Sequence, residues 1–225
     1  LKEYAEPLKA KIVLWLYCEN DLKDLVVEVE SSILRKYLNE DDYSQNLMSR
    51  QEEIDGVLIN YVQSELKKKE MERIIETVKL SNNPVIRITK LYNLRKMINL
   101  IPTPTPTPTP IFKDILQKSK QMVSEWGGKM YFVFLPSYVR YSTGDEHQYR
   151  NFVMQNRNFV MQTATELNIP IIDIHKEVFD PHPDPLSLFP LRMFGHYSAE
   201  GYKLVAEAIG KRLEADGYVP IKSKK

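Results

Sequence analysis

The sequence predicts an α/β fold: three layers, with a mainly parallel sheet between helices. Two patterns and the length carry this. Three short runs, Lys11–Tyr17, Lys129–Leu135 and Ile169–Ile174, are apolar almost without interruption. That is how strands covered on both faces read, as opposed to half-solvated antiparallel ones. Segments of helical period separate the runs, giving the order strand, helices, strand, helix, strand, loop, helix. A chain of 225 residues is long enough for one sizeable core with an insertion.

The elements follow in order. The first run ends in the polar stretch Glu19-Asn20-Asp21. A helix is expected over Asp21–Tyr37, with Leu22, Leu25, Val26, Val29, Ile33 and Leu34 on one side and Asn20 or Asp21 as its cap. A second helical region is expected over Ser44–Leu80, with apolar positions at Leu47, Ile54, Leu58, Tyr61 and Val62; its charged run Glu65–Arg73 reads as a solvated face. Pro84–Leu100 is basic and amphipathic, fit for packing on the sheet or on a membrane surface. Alternating prolines over Pro102–Pro110 remove backbone donors and fix φ, which predicts a polyproline II rod about 28 Å long at about 3.1 Å per residue.

Ile111–Trp126 is expected to be a helix closed by Gly127-Gly128. A further helix, Glu146–Leu167, contains Arg150–Gln155 repeated as Arg157–Gln162. A seven-residue repeat turns the apolar face by only about 20°, so the helix tolerates it. After the third run comes a proline-rich loop, then Gly195-His196-Tyr197-Ser198 and a final helix with Leu204, Val205, Ala208 and Ile209 at helical spacing, which Ser198 can cap.

Composition narrows the function classes. The 31 Lys+Arg against 30 Asp+Glu argue against a nucleic-acid binder driven by phosphate neutralisation. The single cysteine, Cys18, cannot form an internal disulfide and lacks zinc-ligand companions; no metal or other cofactor is expected. No run of about 18 apolar residues is present. The first residue is Leu1, and Leu1–Leu8 reads like the tail of an earlier helix. With only three convincing strands, this leads to the expectation of a missing N-terminal segment, where any membrane anchor would lie.

The chemistry-bearing residues stand at the ends of these elements. His196, in a turn at the start of a helix, is placed as a general base would be. Asn20 follows a strand, where open α/β sheets put their sites; it can equally cap a helix. With these residues the chain resembles the C-terminal portion of an SGNH/GDSL hydrolase. Glu19-Asn20-Asp21 resembles the family's Gly-x-Asn-Asp block, and Met193-Phe194-Gly195-His196 with the helix after it resembles the Asp-x-x-His block. The resemblance covers most of the chain. It makes residues 1–225 a single domain of flavodoxin-like type, with a helical insertion over about 39–101 and a linker over 102–110.

Several departures accompany it. The nucleophile block is absent; Gly144-Asp145-Glu146 echoes it without a serine. Met193 stands where an orienting aspartate is usual, which leaves Asp184, with Asp180 behind it, as the candidate. Glu19 replaces the family's glycine, or that glycine is deleted.

The resemblance implies an acyl ester hydrolase or O-acyltransferase acting on a small-molecule or carbohydrate ester. A serine outside the chain would attack, His196 would take its proton, and Asn20 would stabilise the oxyanion. A base of this kind must be neutral, so activity should fall below about pH 6. An extracytoplasmic or membrane-anchored location is also implied. The alternatives are a catalytically inactive binding module of the same fold, or a scaffold using the Thr-Pro rod. His175, at the end of the third strand, could face the same cleft or the surface; His182 lies between prolines; Cys18 has no cationic neighbour to activate it. Tyr138, Arg140 and Tyr141 follow the second strand and either line the substrate side or are ordinary loop residues.

Overall fold

The computed structural model describes residues 1–19, 21–79, 110–142 and 147–218. Asn20, the basic segment Pro84–Leu100, the Thr-Pro tract up to Thr109 and Gly144-Asp145-Glu146 lie outside the described residues. The chain divides into two compact units, Leu1–Tyr43 with Pro106–Lys225, and Ser44–Thr105.

The first unit is α/β. Strands β1 (Ile12–Cys18), β2 (Lys129–Leu135) and β3 (Ile171–Asp173) form a parallel sheet in the order β1-β2-β3. β1 and β2 pair along their whole length, from Ile12 opposite Lys129 to Cys18 opposite Leu135. The apolar runs explain this: β2 is central and Tyr131, Phe132, Val133 and Phe134 are fully buried, so both faces of the strand must be apolar. Each such burial stabilises by roughly 1.5–3 kcal/mol.

Two cores result. Phe132 and Phe134 join Tyr17, Leu22, Phe112, Leu116, Val123, Val160 and Ala164 on one face. Tyr131 and Val133 join Ile172, Ile174, Phe179, Leu188, Phe189, Val205 and Ala208 on the other. The first face is covered by helices α1 (Asp21–Glu28), α4 (Pro110–Glu125) and α5 (His147–Glu166), the second by α6 (Ala199–Ala215). This is compatible with a three-layer α/β/α arrangement.

Local chemistry sets the boundaries. α4 closes at Gly127, whose φ of 80° suits glycine, with Gly128 N–H donating to Val123 O at 2.9 Å. A Cβ on Gly128 would stand 2.7 Å from Ala10 O, so only glycine lets this turn lie against the entry to β1. Ser198 caps α6, its hydroxyl accepting from Gly201 N–H at 3.2 Å.

Three expectations need correction. The helix expected over Asp21–Tyr37 is two: α1 ends at Glu28, and α2 (Ser32–Asn39) begins afresh because the Ser31 hydroxyl accepts from Leu34 N–H. The third strand is only Ile171–Asp173; Pro170 has no N–H to pair, and Ile174 already turns into the π-helical segment His175–Phe179. In the second unit the long helix α3 (Gln51–Lys79) starts after a 3-10 turn, Leu47–Arg50, and not at Ser44. Along α3, Ile54 is half-buried while Leu58, Tyr61 and Val62 are exposed. No described helix is long and apolar enough to cross a membrane.

Candidate functional site

A parallel sheet gathers the C-terminal ends of its strands along one edge. Here that edge receives Glu19 after β1, Ser137, Arg140 and Tyr141 after β2, and Asp173 and His175 at the end of β3. The turn before α6 is tied to the same edge: Tyr197 Oη donates to Pro136 O at 2.6 Å, and Ser198 N–H donates to Leu188 O at 2.8 Å. His196 precedes Tyr197 in this turn, and its side chain is exposed.

The turn after β1 is fixed on both sides of residue 20. Glu19 is fully buried. Its Oε2 accepts from Ser137 N–H at 2.8 Å and from Ser137 Oγ at 2.6 Å. Its Oε1 accepts from Arg140 Nε at 2.8 Å and also from Arg140 Nη2. Burial raises the Glu19 carboxyl above its ordinary pKa, opposed by the Arg140 charge and the Ser137 hydrogen bonds. Asp21 Oδ2 accepts from Cys18 N–H at 2.8 Å, and burial raises its pKa as well. The Asp21 carboxylate thus reaches back to the strand end.

The end of β3 repeats this economy. Asp173 pairs with Arg157 of α5, and the Arg140 and Arg157 guanidinium groups lie 5.7 and 5.3 Å from the Phe134 ring. Tyr141 Oη and His175 Nδ1 are 2.8 Å apart. Burial drives the Tyr141 phenol far above its usual pKa, so it stays protonated, and the His175 tautomer sets which of the two groups donates. Burial and the Arg140 charge lower the His175 pKa, which keeps this ring neutral.

Among the described residues, the expected site residues His196 and Asp184 share no hydrogen bond or ion pair. His196 is exposed and makes no hydrogen bond among the described residues. Asn20 falls outside the described residues, although its neighbours Glu19 and Asp21 are anchored. Asp184 is engaged by Arg192 in an ion pair, which occupies the carboxylate expected to orient His196. His182 Nδ1 accepts from Asp184 N–H at 3.1 Å, and His182 lines an open cavity of ≈ 450 Å³ between the π-helical segment and α6 that does not include His196. Cys18 is half-buried. Tyr138 packs edge-on against Phe189 and Phe194.

Sequence reasoning missed the Glu19–Ser137–Arg140 cluster and the Tyr141–His175 pair. The signal for the first was a charged residue set directly against an apolar strand, where it must be paired if buried. Among the described residues, no three His, Cys, Asp or Glu side chains form a group that could hold a metal ion. No family model matches the chain, and no curated protein or solved structure is detectably similar to it.

Proposed function

We propose that this chain is the histidine-bearing part of an SGNH-type acyl ester hydrolase or O-acyltransferase, built on a flavodoxin-like three-layer frame. Its substrate is a small-molecule or carbohydrate ester. The supporting observation is that the Tyr197–Pro136 hydrogen bond holds the His196 turn at the sheet edge where the Glu19–Asp21 turn begins. His196 takes the proton of a serine hydroxyl supplied from outside these 225 residues as its oxygen attacks the ester carbonyl. The Asn20 side-chain amide donates to the oxygen that becomes negative, a contribution of about 10²–10³ in rate. The alcohol then leaves, carrying the proton that His196 returns, and water or a second hydroxyl accepts the acyl group.

One observation favours a second reading, an inactive binding module of the same fold. The Asp184 carboxylate is committed to Arg192, so no carboxylate among the described residues orients His196. Hydrolysis of an aryl acetate decides between the two. The protein carrying its upstream segment should be active, the 225-residue chain alone inactive, and His196→Ala in the longer protein should lose about 10³-fold or more. Undiminished activity in His196→Ala removes the hydrolase reading.

A further inference from the structure

The loop that precedes His196 is held firmly yet presents apolar side chains to water. Leu191, Met193 and Phe194 are 89%, 61% and 77% exposed. Leu191 and Arg192 are both in the left-handed region, at φ 53° and 54°, which neither residue type favours. The surroundings enforce this conformation. Arg192 N–H donates to Phe189 O at 3.1 Å and Met193 N–H to Pro190 O at 3.0 Å. Tyr138 Oη donates to Arg192 O at 3.2 Å, and the Tyr138 ring meets that of Phe194 edge-on at 6.2 Å. Strain maintained by this many contacts, in a loop that ends at the candidate base, is characteristic of ligand clamps.

We infer that Leu191, Met193 and Phe194 bind the apolar acyl chain of the substrate, which deepens, and rests on, the ester-hydrolase reading. Three side chains fall well short of the roughly 1,000 Å² that a stable protein interface clears. A lipid surface would be favoured by free positive charge, but the one cation of this prong of residues 191–194, Arg192, is paired with Asp184. Phe194 precedes His196 by two residues, a backbone separation of at most about 7 Å. An acetyl group on a carbonyl presented to His196 is too short to cover that span, whereas an acyl chain of several methylenes lies along Phe194 and Met193. Each fully buried methylene strengthens binding about fourfold.

Two measurements test this. The 225-residue chain, labelled with ¹³C at the methionine methyls and assigned with Met193→Leu, is titrated with sodium octanoate below its micellar concentration, with sodium acetate, and with phosphatidylcholine vesicles. Octanoate should shift the Met193 signal saturably, acetate should not, and Phe194→Ala should weaken the octanoate response at least fivefold. An equal response to acetate, a response to vesicles alone, or no effect of Phe194→Ala overturns the inference. In the longer protein, kcat/KM for p-nitrophenyl octanoate should exceed that for the acetate at least tenfold, and Phe194→Ala should bring that ratio towards one. Equal rates on both esters overturn the inference and leave the hydrolase reading standing. Hydrolysis of neither sinks the hydrolase reading, while the Met193 titration still decides whether the prong takes an apolar chain.

Discussion

At the residue scale, the Tyr141–His175 pair shows how burial assigns roles. The phenol is held protonated, and with His175 as the Nε2–H tautomer its O–H donates to Nδ1. This favours the neutral ring and adds to the effects of burial and the Arg140 charge, which lower the His175 pKa below 6.5. The sign of the linkage follows. As pH falls below 6.5 the unfolded chain takes up a proton before the folded one does. The stability His175 contributes is thus fully present above that pH and is lost as pH falls through the folded value. Tyr141→Phe removes the donor to the neutral ring and should move the His175 titration upward, as followed by the ring Cε1–H resonance. It should also cost about 1 kcal/mol of stability at pH 7.5 and less at pH 5, read from urea unfolding. An unmoved titration contradicts this account. No local pattern couples Glu19 to Arg140 across 121 residues, so this contact was not legible in the sequence. What was legible was the oddity of a carboxylate placed against the end of a buried strand.

At the scale of elements, glycine and serine placements fix where α6 meets the sheet edge. Gly201 sits in the first turn of α6, where an added Cβ would stand 2.6 Å from Leu188 O and 3.0 Å from Tyr197 Cβ. The first of these is backbone, and the same carbonyl accepts from Ser198 N–H. Gly201→Ala should therefore push the helix start off the Leu188 strap, costing about 1–3 kcal/mol. Ser198→Ala, which loses only the cap, should cost about 1 kcal/mol. Thermal melts of the two variants check the ranking; a Gly201→Ala variant as stable as the parent contradicts the packing described.

The elements most legible in the sequence were those with one dominant signal. β2 showed continuous apolarity, α4 closed on paired glycines, and α5 kept its period through a seven-residue repeat. The break between α1 and α2 was missed because the apolar period runs on through Val29. There the Ser31 hydroxyl cap outcompetes continuation of the helix. The third strand was overestimated because Ile169–Ile174 is apolar throughout, while pairing to β2 stops at Asp173.

At the scale of the whole molecule, the candidate site depends on parallel topology. With strands in the order β1-β2-β3, all three carboxyl ends share one edge, and the Tyr197–Pro136 hydrogen bond adds the turn before α6 to it. The α/β class and the general place of this edge followed from the order of elements. The pairing of Asp184 with Arg192 and not with His196 did not, because a side chain's choice between a guanidinium and an imidazole is made in three dimensions.

The central proposal is that His196 activates a serine hydroxyl at this edge. It is tested most directly by treating the full-length product of its gene with a fluorophosphonate and locating the adduct by mass spectrometry. The account predicts a single serine, upstream of Leu1, labelled rapidly, and labelling slowed at least a hundredfold by His196→Ala. A labelled serine whose rate is unaffected by that substitution, or no labelled serine at all, would contradict it.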